Sequence, residues 1–454
     1  MSAAPAAGQH TQPRASLSLT DAIAMIVGLI VGAGIFGTPS IVAGAVESEG
    51  LLVAAWVAGG VFSIIGALCY AELATAFPSA GGEYHFLQKA YGRQLAFLYG
   101  WARMMVVVAG SIAVFAYLFG DYMSRIVNLG AYSSSIWAAL VVGGLTIVNY
   151  LGIREGKFTQ NFFTVIEVAG LVLIIVTGLI IAGPPAAAPA AAAGADQPWY
   201  MGAGIGSAMV FVLFTYGGWN DAAYISAEVR DREKNMARAL LLSISLVTVL
   251  YVLVNLAYLK GLGYSAMARS DAVAADLLKN VLGATGEKLI SFMIAVAALT
   301  SVNGSIIVGA RSNYALGRDW PLFGFLGRWD EASGSPRNAI VMQGVIALAL
   351  VAFGAFYNTG FKGLVEYSLP VFWGFFMLVG VALFVLRAKE PAAVRPFRVP
   401  LYPVIPAVFV LMCAYLLYSS LAYHGKHAFV GLGVLAVGAI VMLLSGRGEK
   451  ATTP

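Results

Sequence analysis

Apolar runs of about twenty residues recur from Asp21 to Leu444 with short polar connections between them, and a run of that length crosses a hydrocarbon layer of roughly 30 Å as one α-helix. Taken in order they predict an all-α chain of about twelve membrane spans, near residues 20–46, 52–77, 95–122, 134–151, 159–182, 203–227, 237–259, 287–317, 338–357, 363–387, 402–422 and 427–445. The first span breaks the pattern: "GLIVGAGIFGTPS" carries Gly32, Ala33, Gly34 and Gly37 through its middle and Pro39 after them. Glycine weakens a helix by roughly 1 kcal/mol relative to alanine, so this helix is expected to be interrupted. The sixth span repeats the feature, with Gly217 and Gly218 at its centre and the polar pair Asn220 and Asp221 behind them.

Unwound backbone in hydrocarbon persists only where protein, water or a solute satisfies its N–H and C=O groups. Close helix packing is the usual reason for glycine in a membrane helix. Two interruptions at matching positions, each in the first helix of a five-span half, point instead to a solute site at the bilayer midplane. The N–H groups of Gly32, Ala33 and Gly34 would open the outer half-helix at its positive end and suit a carboxylate. Freed carbonyls near Ile30, Phe214 and Gly217 suit an ammonium.

Composition agrees with the spans, at 60% hydrophobic and 11% charged residues. The net charge of +5 comes from connections such as "EVRDREKNMAR" and "RAKEPAAVRPFR", which fit an anionic lipid surface and not nucleic acid. Most Lys and Arg fall in connections on one side, which puts both termini in the cytoplasm. Residues 1–16 lack an apolar signal core and read as a disordered tail. The stretch "GPPAAAPAAAAGAD" reads as a flexible or partly helical outer loop. Cys69 and Cys413 sit in apolar spans and read as packed thiols.

The motifs resemble the amino acid-polyamine-organocation (APC) superfamily, and within it the L-type amino acid transporter family. "VGAGIF" is similar to that family's first-helix break, and "FTYGGWNDAAYISAEVRDREKNMARAL" to its sixth-helix segment. "CYAELATAFPSAGGEYHFLQKAYG", "NGSIIVGARSNYALGRD" and "RPFRVPLYPVIP" resemble its second, eighth and eleventh-helix regions. The resemblance implies a LeuT-like fold: a cytoplasmic tail (1–19), a five-helix repeat (20–182), an extracellular Ala/Pro-rich loop (183–202), an inverted five-helix repeat (203–387), two additional helices (388–445) and a second tail (446–454). It further implies secondary transport of amino acids, neutral L-amino acids first, by alternating access as a proton symporter or exchanger in the inner membrane, with no enzyme activity and no cofactor. Polyamines or other organic amines are the alternative substrates, and a non-transporting amino-acid sensor is the reading from another class.

Carried over by resemblance, the substrate site is Ile30, Gly32, Ala33, Gly34, Phe214 and Gly217, lined by Trp219 and Asn220. Ala33 stands where the family often has Ser, which leaves only backbone to meet the carboxylate. Glu167 stands where sodium-independent relatives commonly have Lys, and it becomes the proton-coupling candidate, with a permanently protonated or Arg-paired structural role, or sodium coordination, as the other readings. Animal members pair with a single-span glycoprotein through a cysteine in the loop after the third helix. "LGAYSSS" has none, so no such subunit is expected.

Other polar groups have blander readings. Arg103 is expected to snorkel or to pair with an acid in the bundle. Glu72, Glu366 and Tyr367 read as interfacial or packing groups, and Thr300 to Ser305 as interhelical hydrogen bonding. Phe372, Trp373, Phe375 and Phe376 are candidates for side-chain contact. "HGKH", His424 to His427, reads as an interfacial loop, and no metal site is expected.

Overall fold

The computed structural model describes residues 18–79, 81–152, 157–183, 203–225, 229–330, 335–423 and 425–449. Outside it lie the expected tail up to residue 17, almost all of the Ala/Pro-rich loop, His424 and the chain after residue 449. Among the described residues the structure is helical, with one isolated bridge between Asp330 and Ser335.

Helix α1 (Leu19–Ile30) starts from a capping box in which Ser18 and Asp21 satisfy each other's backbone N–H groups. It stops where the glycines begin, and α2 (Gly34–Ala45) resumes at an angle of 51°. Next come α3 (Glu49–Ala76), the short connecting helix α4 (Gly82–Tyr91), and α5 (Arg93–Ala102), which runs through a π turn at Arg103–Val107 into α6 (Val108–Ile126). Helices α7 (Ser133–Tyr150) and α8 (Lys157–Val176) follow.

The sixth expected span is α9 (Ala203–Thr215), a 3₁₀ turn at Trp219–Asp221 and α10 (Ala222–Ile225). Beyond it are α11 (Arg232–Leu262), α12 (Tyr264–Ala268) and α13 (Val273–Asp319), which bends at Gly283. The last four are α14 (Arg337–Phe356), α15 (Gly360–Lys389), α16 (Val404–Tyr423) and α17 (Gly425–Glu449).

Among the described residues, nine helices are long and apolar enough to span a bilayer, and the α1/α2 pair makes ten. The fifth and sixth expected spans correspond to shorter apolar helices, Val165–Ile181 and Gly204–Thr215, so length and composition do not by themselves reach twelve. Leu140 and Ile147 on α7 and Ile440, Leu443 and Leu444 on α17 lie on the outer surface, where lipid replaces water as the solvent.

Packing sorts the helices into two groups. Helix α11 lies along α1 and α3, and α9 along α2 and α3; separately, α6, α7, α13 and α14 pack on one another. The side at which α1 begins is termed the near side and the side at which α2 ends the far side. On the far side the Tyr264 hydroxyl donates to the carbonyls of Ala43, at 2.9 Å, and Val46, capping the open end of α2. Arg125, at the end of α6, lies 3.7 Å from Asp276 and 3.8 Å from Glu287, which also pairs with Lys279.

On the near side Glu72, buried at the end of α3, is more than an interfacial group. It accepts two hydrogen bonds from Arg387 at 2.6 and 2.7 Å and the Val399 N–H at 2.7 Å, with Arg395 3.6 Å away. One carboxylate thereby fixes the α15–α16 connection. Glu366 meets the His427 ring at 3.1 Å, and the Tyr367 hydroxyl donates to the Met105 carbonyl at 3.0 Å. Cys69 and Cys413 are buried free thiols.

Candidate functional site

The two interruptions lie against each other. Gly218 takes a φ of +106°, which L-residues rarely adopt, and a Cβ there would fall on the Leu29 carbonyl. A Cβ on Gly34 would come within 3.6 Å of Thr215, and one on Gly32 within 3.6 Å of the Ser301 hydroxyl. At Gly218 only backbone fits, whereas at Gly32 and Gly34 a methyl would be in ordinary contact and a larger side chain would press on Ser301 or Thr215.

Tyr251 of α11 ties the two breaks together. Its hydroxyl lies 2.9 Å from the Ile30 carbonyl and 3.3 Å from the Thr215 carbonyl. The Ile30 carbonyl also accepts the Gly32 N–H at 2.8 Å, and the Phe214 carbonyl accepts the Gly217 N–H at 3.0 Å. Two of the three carbonyls expected to meet an ammonium thus already hold donors. The N–H groups of Ala33 and Gly34, by contrast, have no partner among the described residues, as befits the first turn of a helix.

Trp219 and Asn220 hold the second break in shape. The Asn220 side chain accepts the Gly218 N–H at 3.2 Å and donates to Glu83 at 3.3 Å. Trp219 packs edge-on against Tyr70 and Phe376, and the missing side chain of Gly66 makes room for its ring. Together with Gly217 it borders a cavity of about 20 Å³ that Phe62, Ser63, Phe372 and Cys413 also line. Of the candidate aromatics, Phe375 lies edge-on to Tyr99 and Phe376 is stacked on Phe372.

Glu83 of α4 was not among the expected site residues, yet it is 2% exposed and lies beside the sixth-helix break. Tyr70 donates to it at 2.6 Å, Tyr99 donates to its second oxygen, and Arg103 lies 3.7 Å away. Burial raises its pKa above the usual carboxylate range, and Arg103, Tyr70 and Tyr99 work against that shift. Every one of these neighbours is a donor, the set that an ionised carboxylate takes. Arg103 does not snorkel: it sits between Glu83 and Asp221, 3.6 Å from the latter.

Glu167, on α8, is 6% exposed and has no hydrogen bond or ion pair among the described residues. An Arg-paired structural role therefore has no support in the geometry. Thr300 and Ser301 return their hydroxyls to their own helix, and Asn303 accepts from Asn149 at 2.7 Å. No group of three or more His, Cys, Asp or Glu poised for a metal occurs among the described residues.

The missed residues have a common cause. Glu83 lies in the "GGEYHF" connection, 137 positions from Asn220, and Tyr251 lies inside the apolar seventh span; a polar tip within such a run was the one available signal.

Residues 17–444 match the model of the family described as amino acid permease. Human b(0,+)-type amino acid transporter 1 is 30% identical over 415 residues, covering 90% of this chain and 83% of the relative. The mouse large neutral amino acids transporter small subunit 2 is 29% identical over 435 residues, covering 94% and 80%. A membrane-spanning helical chain with two abutting helix breaks, matched along nearly all its length, is a transporter of amino acids and not an enzyme: the chain belongs to the amino acid permease family of the APC superfamily.

Proposed function

We propose that this permease carries neutral L-amino acids across the cytoplasmic membrane by alternating access, with its near side in the cytoplasm. The observation that carries the reading is the pair of abutting breaks, with the Ala33 and Gly34 N–H groups at the head of α2 unpartnered among the described residues. These donors suit the α-carboxylate. The α-ammonium goes to the Gly217 carbonyl, or to Ile30 once the Tyr251 hydroxyl gives way. The two acids beside the sixth-helix break, Glu83 and Asp221, both lie within 4 Å of Arg103, which competes for them with a cationic side chain.

The twelve-span reading takes residues 20–182 and 203–387 as inverted repeats, which places the two breaks in equivalent helices. Glu167, buried and without a counter-ion among the described residues, supports proton symport, whereas exchange needs only that the empty carrier reorients slowly. The same residue favours a second reading, transport of a polyamine or other organic amine. The Asn128–Ser135 connection holds no cysteine, which supports function without a disulfide-linked subunit.

The test is thermal stabilisation of the purified protein across the twenty amino acids and common polyamines, followed by uptake in proteoliposomes. Stabilisation by a few neutral amino acids, lost in Gly34→Leu, supports the reading. Stabilisation by polyamines alone replaces the substrate, and binding without uptake replaces transport with sensing.

A further inference from the structure

We propose that Arg103 is the lock of the near-side gate, holding the 3₁₀ limb of the sixth helix to α5 and α6 through Asp221, and that Glu83 is the counter-ion that makes the lock reversible. The proposal deepens the alternating-access reading and rests on it.

Two helix groups that pack internally must part on one side to expose a site lying between them. Asp221 and Asn220 follow the break that abuts α1, whereas Arg103 opens the π turn that leads into α6. The Arg103 to Asp221 contact at 3.6 Å therefore crosses the divide, and the Asn220 to Glu83 hydrogen bond at 3.3 Å ties the same limb to α4. Both must break if the limb is to move away.

The charges are unequal across that divide. A buried guanidinium left alone in a low dielectric is prohibitively unfavourable, but Arg103 has two carboxylates. When Asp221 leaves, Glu83 remains at 3.7 Å, itself held by Tyr70 and Tyr99. The departing acid is the one that water can accept, since the Asp221 side chain is 33% exposed against 3% for Glu83. Arg103 also donates to the Tyr99 hydroxyl at 3.2 Å, which keeps the guanidinium in place after release. The pair that breaks is the solvated one, and the pair that stays is the buried one.

The same geometry separates a lock from a ligand-binding role. Asp221 lies beyond the break on its near side and is matched by Arg103, so removing its charge should free the limb without removing a substrate contact.

The experiment is hydrogen–deuterium exchange of the purified substrate-free protein, comparing wild type, Asp221→Asn and Asp221→Glu. In Asp221→Asn, uptake over Leu19–Ile30 and Trp219–Ile225 is expected to rise at least threefold while peptides of α7 and α14 stay at the wild-type level. Asp221→Glu, which restores the charge, returns both segments to within twofold of wild type. The stabilising amino acid should still bind Asp221→Asn with a Kd within threefold of wild type. Unchanged exchange in a folded Asp221→Asn protein overturns the lock, as does loss of binding with unchanged exchange. Should Asp221→Asn fail to fold, Asp221→Ser removes the same charge with less bulk and carries the same readings. Because exchange is read without substrate, a failed transport assay and a failed lock are distinguishable.

Discussion

The Tyr251 hydroxyl stands 2.9 Å from the Ile30 carbonyl and 3.3 Å from that of Thr215, so one side chain of α11 bridges the ends of α1 and α9. Removing that oxygen takes away the one proton the two carbonyls share; the Ile30 carbonyl keeps the Gly32 N–H, and the Thr215 carbonyl loses its contact with Tyr251. Tyr251→Phe is expected to lower stability by about 1–2 kcal/mol and to weaken substrate binding about tenfold, because the breaks lose their common tie. Thermal melting and ligand titration of the same preparation check both.

Gly218 is irreplaceable for a geometric reason. A φ of +106° and a Cβ position on the Leu29 carbonyl add backbone strain to overlap. Gly218→Ala is expected to cost about 2–4 kcal/mol and to abolish uptake. By comparison, Gly143→Ala on α7, where a Cβ meets nothing within 4 Å, should leave melting and uptake close to wild type.

Glu72 should be the most costly acid to delete on the near side. Glu72→Ala leaves Arg387 and Arg395 without their shared carboxylate and frees the Val399 N–H, for a loss of about 3 kcal/mol. Detergent melting of Glu72→Ala against Glu390→Ala, whose partner Lys89 is one-third exposed, should show the smaller effect at the surface pair.

Glu167→Gln separates coupling from exchange. If the carboxyl carries the proton, the amide abolishes accumulation driven by a pH gradient and leaves counterflow at zero gradient within about twofold of wild type. Loss of both activities equally would make Glu167 a packing residue.

The two helix breaks were legible in the chain because they are made of backbone. Gly217 and Gly218 mark positions where a Cβ would press on backbone carbonyls, and that signal is local. What stayed hidden is carried by contacts across long stretches of sequence. Nothing in "FLYGWARMM" shows that Arg103 finds Asp221 rather than the membrane surface, and nothing near Asn220 points to a loop glutamate 137 residues earlier. The packing of Trp219 and Asn220 was hidden for the same reason: their partners Tyr70, Phe376 and Glu83 come from three other helices.

The Tyr264 cap on α2 gives the far side a view of the site. Helix α2 runs for 12 residues through Pro39, about 18 Å, with the proposed carboxylate donors at one end and the Tyr264 hydroxyl bonded to the other. A tilt at Gly34 is therefore transmitted as a displacement at α12, at the surface. A dye attached beside Tyr264 should act as an optical gauge of occupancy, reporting the arrival of a solute half a membrane away.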